Sequence, residues 1–292
     1  DTIDVLVSFY VIIFLQLMLE KKGRLENAKD AFNRLIRNRR INAMIPPAIM
    51  GLLPSAAVMT VCSDMVDKTC GEYMDAKSKT FVACYYRHIP EMFLPTYPVV
   101  LLALALSGQN AGVFVLSMIP LVFLSCLVVY FTYLRKIPKE MPPLSEEVRA
   151  KEEIIRLIQN LWTLIAVLVI IIAFNISVCF AGPMVIVVNY FADRFSLKDL
   201  PDLLVRSAEP VLLGNMYLIM LFKAVLSYTG VLGLLPDFFG QFPIPMTLSF
   251  SLLFFFGTVI SGSQTMIALC LPMALLAFPE GGIPLLVMLM GI

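Results

Sequence analysis

The side chains best suited to chemistry lie together in one apolar stretch of the sequence. Arg87, His88 and Glu91 follow one another there, and His88 is the single histidine of the chain. Ionisable residues inside a membrane are rare and costly, and they usually serve a function. Arg87 could bind a carboxylate through two parallel hydrogen bonds from its guanidinium. His88 could donate a hydrogen bond to a substrate or carry a proton. The alternative is that all three lie at the membrane interface and reach towards water.

Two short segments of small and polar residues interrupt long apolar stretches. We call them the first tip, Pro54, Ser55, Ala56 and Ala57, and the second tip, Ser261, Gly262, Ser263, Gln264 and Thr265. Irregular backbone at membrane depth survives only where protein buries it or where it lines a cavity. Each tip therefore predicts a re-entrant helical hairpin.

The chemistry of such a break makes both tips candidate binding sites. Free N–H groups and the positive end of a helix dipole attract an anion, and free carbonyls attract a cation. We therefore predict that the two tips bind the substrate and a coupling ion. The alternative is that their small residues only allow close helix packing. Asp64, which follows the first tip, could help to hold a cation or could mark the solvated end of that hairpin.

Signals for an enzyme or a cofactor are weak. The six cysteines form no CxxC pair, and we interpret them as reduced, space-filling thiols. The sequence has no Ser-His-Asp arrangement, phosphate loop or HExxH motif. We expect no enzyme, no metal site and no cofactor, apart from Na⁺ as a coupling ion.

These residues sit in a chain whose composition is that of a membrane protein. Of its 292 residues 59% are hydrophobic and 15% are charged, and mean hydropathy is +0.86. A soluble domain carries roughly 25% charged residues. Several stretches of about 17–25 residues are nearly free of charge, which is the length of a helix that crosses the hydrocarbon core. We predict an all-α polytopic protein of the lipid bilayer. The net charge of +1 gives no reason to expect a nucleic-acid partner.

The apolar stretches and their charged flanks predict the elements that carry the candidate sites. The expected crossings are Ile3–Leu19, Phe93–Leu106, Val113–Tyr133, Val211–Tyr228 and the long stretch Leu161–Phe191, hinged near Asn175 to Pro183. The basic segment 21–40 has apolar residues at helical spacing, which predicts an amphipathic surface helix on the cytoplasmic side.

An internal repeat organises these elements. When the chain is shifted by 207 residues, Phe9–Val66 aligns with Met216–Met273 without a gap, and Gly23 aligns with Gly230. We predict a first membrane repeat at 1–134, a cytoplasmic connector at 135–159 and a second repeat at 160–292, with each repeat incomplete at its outer end. The repeats are inverted if Leu161–Phe191 crosses the membrane twice and parallel if it crosses once.

Three runs of residues carry a resemblance to a known family. GLLPSAAVM, KTFVACYYRHIPEMFLPTYP and TVISGSQTMIALCLPM resemble an uncharacterised family of prokaryotic integral membrane proteins. That family is grouped with the ion transporter superfamily, alongside citrate, gluconate and arsenite permeases. The resemblance implies two inverted repeats, each with a re-entrant hairpin, and a transport domain that moves against a scaffold like an elevator. It also implies a homodimer and coupling to Na⁺ or H⁺. Where Ser55, Ala56 and Ala57 stand here, the family tends to have more glycine.

We therefore expect a secondary active transporter in the cell inner membrane. Its substrate would be a small anion, above all a carboxylate, moved by alternating access and coupled to Na⁺ or H⁺. An ion channel, an intramembrane enzyme that uses His88 with Glu91 or Asp64, and a non-transporting membrane subunit are the alternatives.

Overall fold

The computed structural model describes residues 2–52, 57–141, 149–230 and 244–291, and within those ranges every regular element is helical. The α-helices are α1 Thr2–Lys21, α2 Arg24–Leu35, α3 Arg39–Asn42, α4 Ile45–Met50, α5 Ala57–Cys70, α6 Ala76–His88, α7 Pro98–Ser107, α8 Ala111–Thr132, α9 Ala150–Phe174, α10 Val178–Ala192, α11 Leu200–Ser207, α12 Pro210–Thr229, α13 Met246–Ser261, α14 Ser263–Ala277 and α15 Gly282–Met290.

Three of the described helices are long and apolar enough to cross a membrane. They are α1, α8 and α9, and α11 with the start of α12 would make a fourth across a 45° bend. The expectation of an all-helical chain with membrane-spanning helices is confirmed at this level. The expected crossing at Phe93–Leu106 differs, because α7 begins only at Pro98 and has ten residues. A helix of that length spans about 15 Å, roughly half of the hydrocarbon core.

The hinge predicted in the stretch Leu161–Phe191 lies at Asn175. This residue has a φ of 53°, and it separates the end of α9 at Phe174 from the start of α10 at Val178. Asparagine enters this left-handed region more readily than most residues. Pro183, the other candidate for the hinge, lies inside α10.

The chain forms two compact units. Unit 1 comprises Asp1–Phe14, Phe93–Met118 and Val169–Ile292, and unit 2 comprises Leu15–Met92 and Ile119–Leu168. Each unit is therefore assembled from separate stretches of sequence, and α1, α8 and α9 each contribute residues to both units.

Unit 2 is built around α4 and α5. α5 packs on α6, and α4 packs on α2 and α6. The amphipathic helix predicted for segment 21–40 is present as α2, whose buried residues are Leu25, Ala28, Ala31 and Phe32. Because α2 packs on α4, its apolar face is covered at least in part by protein.

Arginines of α3 hydrogen-bond to backbone carbonyls at one end of unit 2. Arg39 Nη1 donates to the carbonyl of Thr69 over 2.9 Å, and its Nη2 donates to the carbonyl of Glu140 over 3.1 Å. Arg40 Nε donates to the carbonyl of Ile137 over 2.8 Å. Carbonyls near the end of a helix lack partners within it, so these bonds hold the end of α5 to the segment after α8.

Unit 1 is built around α13 and α14. α14 packs on α13, α7 and α12, and α15 packs on α13 and α7. The side chains of Leu271 and Ala274 on α14 are fully buried. The apolar helix α14 therefore lies at the centre of this unit.

Both α4–α5 and α13–α14 are helical hairpins. In the first hairpin, Cys62 Sγ on α5 lies 3.8 Å from the carbonyl oxygen of Pro47 on α4. In the second hairpin, the ring centroids of Phe250 and Phe278 are 5.8 Å apart, and Met266 lies against Gly257. These pairs flank the two tips in sequence, so the chain reverses direction between them.

Candidate functional site

The last turn of α6 and the 3₁₀ turn Ile89–Met92 bring three ionisable side chains together. Arg87 is only 7% exposed. Its Nη1 lies 2.8 Å from His88 Nε2 and donates to Glu91 Oε1 over 3.3 Å. The cluster predicted from the sequence is therefore compact, and Pro90 does not separate Glu91 from the other two residues.

The hydrogen bonds of this cluster fix the proton on the imidazole. A guanidinium has donors and no acceptor, so the bond from Arg87 requires His88 Nε2 to carry no proton. His88 Nδ1 lies 2.6 Å from the carbonyl of Cys84, which can only accept, so Nδ1 carries the proton. A second proton, on Nε2, would cost Arg87 one of its acceptors.

The first hairpin lies directly against Arg87. A Cβ added to Gly51 would overlap the carbonyl oxygen of Arg87. Arg87 Nε is buried and has no hydrogen-bond partner among the described residues. A buried charged group with an unsatisfied donor is costly, so this site favours an incoming acceptor.

Neighbouring helices of unit 2 fix the position of α6. Tyr85 and Tyr86 donate their hydroxyls to the carbonyls of Ser125 and Cys126 on α8, over 3.2 and 3.1 Å. At the other end of α6, Lys79 Nζ lies 2.7 Å from Asp67 Oδ1 on α5. These contacts hold the charged cluster against the first hairpin.

The second tip is an open turn between two helices. Gly262 has φ 86° and ψ 153°, which is accessible almost only to glycine. A Cβ placed there would meet no described atom within 4 Å. Ser261, Ser263 and Thr265 are exposed, and Gln264 is half-buried. The first turn of α14, with its unpaired N–H groups, is therefore exposed within the part of the chain that the structure describes.

Polar side chains of the second tip are only partly engaged. Ser261 Oγ donates to the carbonyl of Gly257 over 2.8 Å. Gln264 Nε2 lies 3.8 Å from Met216 Sδ on α12, a weak acceptor. Most of the hydrogen-bonding capacity of the tip remains for another partner.

The first tip lies largely outside the described residues. Pro54, Ser55 and Ala56 belong to the range 53–56, and Ala57 is the first residue of α5. Asp64 is exposed and pairs with Lys68 Nζ over 2.6 Å. That pair places Asp64 on an exposed side of α5.

Sequence reasoning missed a cavity of about 870 Å³ in unit 1. Its polar lining residues are Asp4, Ser8, Gln109, Asn110, Asn175 and Ser177. The signal available in the sequence was the pair of asparagines at the ends of two apolar stretches, and nothing in the sequence placed them side by side. Within residues 2–52, 57–141, 149–230 and 244–291, no group of His, Cys, Asp or Glu has the arrangement of a metal site.

Comparison with known proteins gives one family. The family described as "Protein of unknown function (DUF401)" matches residues 1–289. No curated protein matches the chain.

Proposed function

The chain belongs to the DUF401 family, and we propose that it is a secondary active transporter of a small anion. The anion is a carboxylate, carried across the cell inner membrane by alternating access and coupled to H⁺ or Na⁺. The moving part is a transport domain that shifts against a scaffold in a homodimer. The occurrence of the same local geometry at two places 207 residues apart carries this proposal.

One pair of equivalent positions adopts the same backbone conformation in both halves of the chain. Gly23 after α1 and Gly230 after α12 are both left-handed, with φ of 59° and 68°, and 230 − 23 is the offset of 207. The second helices of the two hairpins, α5 and α14, begin at Ala57 and Ser263, which are 206 residues apart. This agreement supports two repeats, each with a broken hairpin.

Paired broken hairpins suit transport because of their exposed backbone groups. In lipid, an unsatisfied N–H or C=O costs several kcal/mol, so a break persists where it faces a cavity or a ligand. In transporters built from repeats, such breaks form the substrate and ion sites near the middle of the membrane. The open turn at Gly262, with its small polar neighbours, has the properties of such a site.

Arg87 indicates which charge the substrate carries. It is buried beside the first hairpin, and its Nε lacks a hydrogen-bond partner among the described residues. A carboxylate would supply that acceptor through a bidentate, charge-assisted pair. Glu91 already pairs with Nη1, and a neutral or cationic substrate would leave Nε without a charged acceptor, so this atom favours an anion.

The geometry of His88 favours H⁺ over Na⁺ as the coupling ion. Its Nε2 is the atom that can gain a proton, and a histidine side chain can carry a proton. Protonation would break the bond to Arg87 Nη1 and free that donor for the substrate. Glu91 would pair with the new charge. The other ionisable side chains on α5 and α6 include Asp64, Asp67, Lys68 and Lys79, which are tied up in ion pairs with one another.

Thermal stability against a panel of small anions tests the proposal. The purified protein is heated with each mono-, di- and tricarboxylate, with and without Na⁺, at neutral and at mildly acidic pH. A ligand at 100 times its Kd adds about 2.7 kcal/mol of stability. We expect a carboxylate to raise the melting temperature, more at acidic pH and without a need for Na⁺.

Two variants make the result specific. Arg87→Lys keeps the charge and removes the fork, so it should lose the shift, whereas Asp64→Asn changes an exposed carboxylate and should keep it. The proposal would be contradicted if every anion stabilised both variants to the same extent. It would also be contradicted if no anion stabilised the parent protein.

A further inference from the structure

Positive charge is concentrated in unit 2 where α8 ends. Arg135 and Lys136 follow α8 in a 3₁₀ turn, and both side chains are exposed. The carbonyl of Lys139, three residues further on, accepts a hydrogen bond from the backbone N–H of Arg39 over 2.8 Å. Arg40 also donates to a carbonyl of this segment. We call Arg39, Arg40, Arg135, Lys136 and Lys139 the basic cluster.

Acidic side chains do not neutralise the basic cluster. Arg39 and Arg40 donate to backbone carbonyls and to the hydroxyl of Tyr130, which are neutral acceptors. Among the described residues, none of the five basic side chains forms an ion pair. The ranges 37–42 and 135–148 hold six basic and three acidic residues in the sequence, so the excess remains when residues 142–148, outside the described ranges, are counted. Such an excess attracts an anion.

An exposed apolar strip on α8 leads to the basic cluster. Its residues are Leu124, Val128 and Phe131, whose spacing of four and three places them on one face of the helix. Their exposed fractions are 59%, 57% and 53%. The guanidinium carbon of Arg135 lies 5.8 Å from the centroid of the Phe131 ring, so a cation lies at the end of the strip.

Aromatic side chains indicate the level of the membrane surface at this end of α8. The ring centroids of Tyr133 and Phe81 are 5.1 Å apart, and the hydroxyl of Tyr130 accepts a hydrogen bond from Arg40 Nη1 over 3.3 Å. Tyrosine is enriched at the boundary between hydrocarbon and water. Because α8 is long and apolar enough to cross a membrane, the basic cluster would lie at the level of the lipid headgroups.

The combination of charge and apolar surface selects the ligand. An acidic peptide or a free phosphate ester would pair with the cations and leave the apolar strip uncovered. A zwitterionic lipid would cover the strip and bring no net charge. Only an anionic lipid, of the kind that attracts basic segments to a membrane surface, matches both features.

We propose that the basic cluster and the apolar strip bind an anionic phospholipid, with its phosphate at Arg135 and an acyl chain along the strip. This site rests on the crossing of a membrane by α8. It does not depend on the transport function proposed above, because it shares no residue with either tip or with the cluster of Arg87, His88 and Glu91.

Lipids that differ only in their headgroup test the charge. The purified full chain in a neutral detergent is titrated with dioleoylphosphatidylglycerol or with dioleoylphosphatidylcholine, and native mass spectrometry measures the lipid bound. We expect the anionic lipid to bind about tenfold more tightly or better, because each Lys or Arg near the headgroups strengthens its binding by about fivefold. Equal binding of the two lipids would overturn the proposal. It would also be overturned if an equal concentration of glycerol phosphate or of hexaglutamate displaced the anionic lipid, since the ligand would then be a free phosphate ester or an acidic peptide.

Variants then locate the site. Arg135→Gln should weaken the binding of phosphatidylglycerol by about fivefold, and its combination with Lys136→Gln by more than about tenfold. Lys198→Gln, which changes an exposed lysine of unit 1, is the control and should leave the affinity unchanged. The melting temperature of each variant without added lipid identifies any that fail to fold. Unchanged affinity in the folded double variant, or an equal loss in Lys198→Gln, would contradict the assignment.

Discussion

The two hairpins differ in what their glycines contact. In the first, Gly51 lies against the backbone of Arg87 on α6, whereas in the second, Gly257 lies against the side chain of Met266 on the partner helix of the same hairpin. A backbone carbonyl cannot move without shifting α6, whereas a methionine side chain can change its rotamer. The first hairpin is therefore fixed against α6, and the second can adjust the packing between its own two helices. The same local fold can thus be fixed in one unit and adaptable in the other.

The largest effect expected from this difference is that of Gly51→Ala. The φ of Gly51 is −57°, which any residue adopts, so the cost comes only from the collision with Arg87. We expect a loss of about 3 kcal/mol in stability, at the upper end of overpacking, measured by denaturation of the purified protein. Gly214→Ala, in open space on α12, is the control and should be neutral or stabilising. If the two variants are equally stable, the contact of Gly51 with Arg87 does not hold the first hairpin rigidly against α6.

The next effect concerns transport and the second tip. Gly262 and Gly71 have φ of 86° and 54°, and a Cβ at either would meet no described atom within 4 Å. Leucine at either position should therefore lower stability through backbone strain, by about 1–3 kcal/mol and by more at Gly262. Only Gly262→Leu should also reduce uptake, by roughly tenfold to a hundredfold, because it displaces the turn at which we propose that the substrate binds. If Gly71→Leu reduces uptake as much, strain alone explains the loss and the tip has no special role.

A smaller effect is expected for Gly257→Ala. The added methyl group collides with Met266, whose side chain can turn away, so we expect a cost within about 1 kcal/mol. Denaturation alongside Gly51→Ala gives the contrast between the two hairpins directly. A loss as large as that of Gly51→Ala would make the second hairpin equally rigid.

The smallest expected effect is on the stability contributed by the N-terminal cap of α6, the helix against which the first hairpin packs. The side chain of Ser78, together with its backbone N–H, which donates to the Asp75 carboxylate over 3.1 Å, lowers the pKa of that carboxyl below the usual value. A lowered pKa in the folded state favours folding above the unfolded pKa of about 3.9, and the contribution is lost as pH falls further. Asp75→Asn keeps a capping group that does not titrate. Melting temperatures measured between neutral pH and pH 3 should fall more steeply in the parent, and parallel curves would exclude the cap as the cause.

Local patterns in the sequence predicted much of the fold. The lengths of α1, α8 and α12 follow from uninterrupted apolar residues, and the hinge at Asn175 follows from a polar residue between two apolar stretches. α7 was expected to be longer, but Pro95 and Pro98 delay its start, since proline is tolerated in the first turn of a helix and resists the interior.

The candidate site was predictable only where its residues are close in sequence. Arg87, His88 and Glu91 lie within one turn of each other, so their spacing already predicted a cluster. The approach of Gly51 to Arg87 and the bond between Asn110 and Asn175 depend on how distant helices pack. No local pattern of residues carries that information, and for this reason the cavity of unit 1 emerged only from the structure.

Uptake by vesicles tests the central claim most directly. The full-length protein is reconstituted into liposomes with an inward proton gradient, and entry of the carboxylate that best stabilises it is measured. We predict saturable uptake that collapses when the proton gradient is dissipated, persists without Na⁺ and is lost in Arg87→Lys. Uptake that does not saturate would indicate a channel, and no uptake of a carboxylate that binds would indicate a non-transporting membrane subunit. Either result would contradict the account.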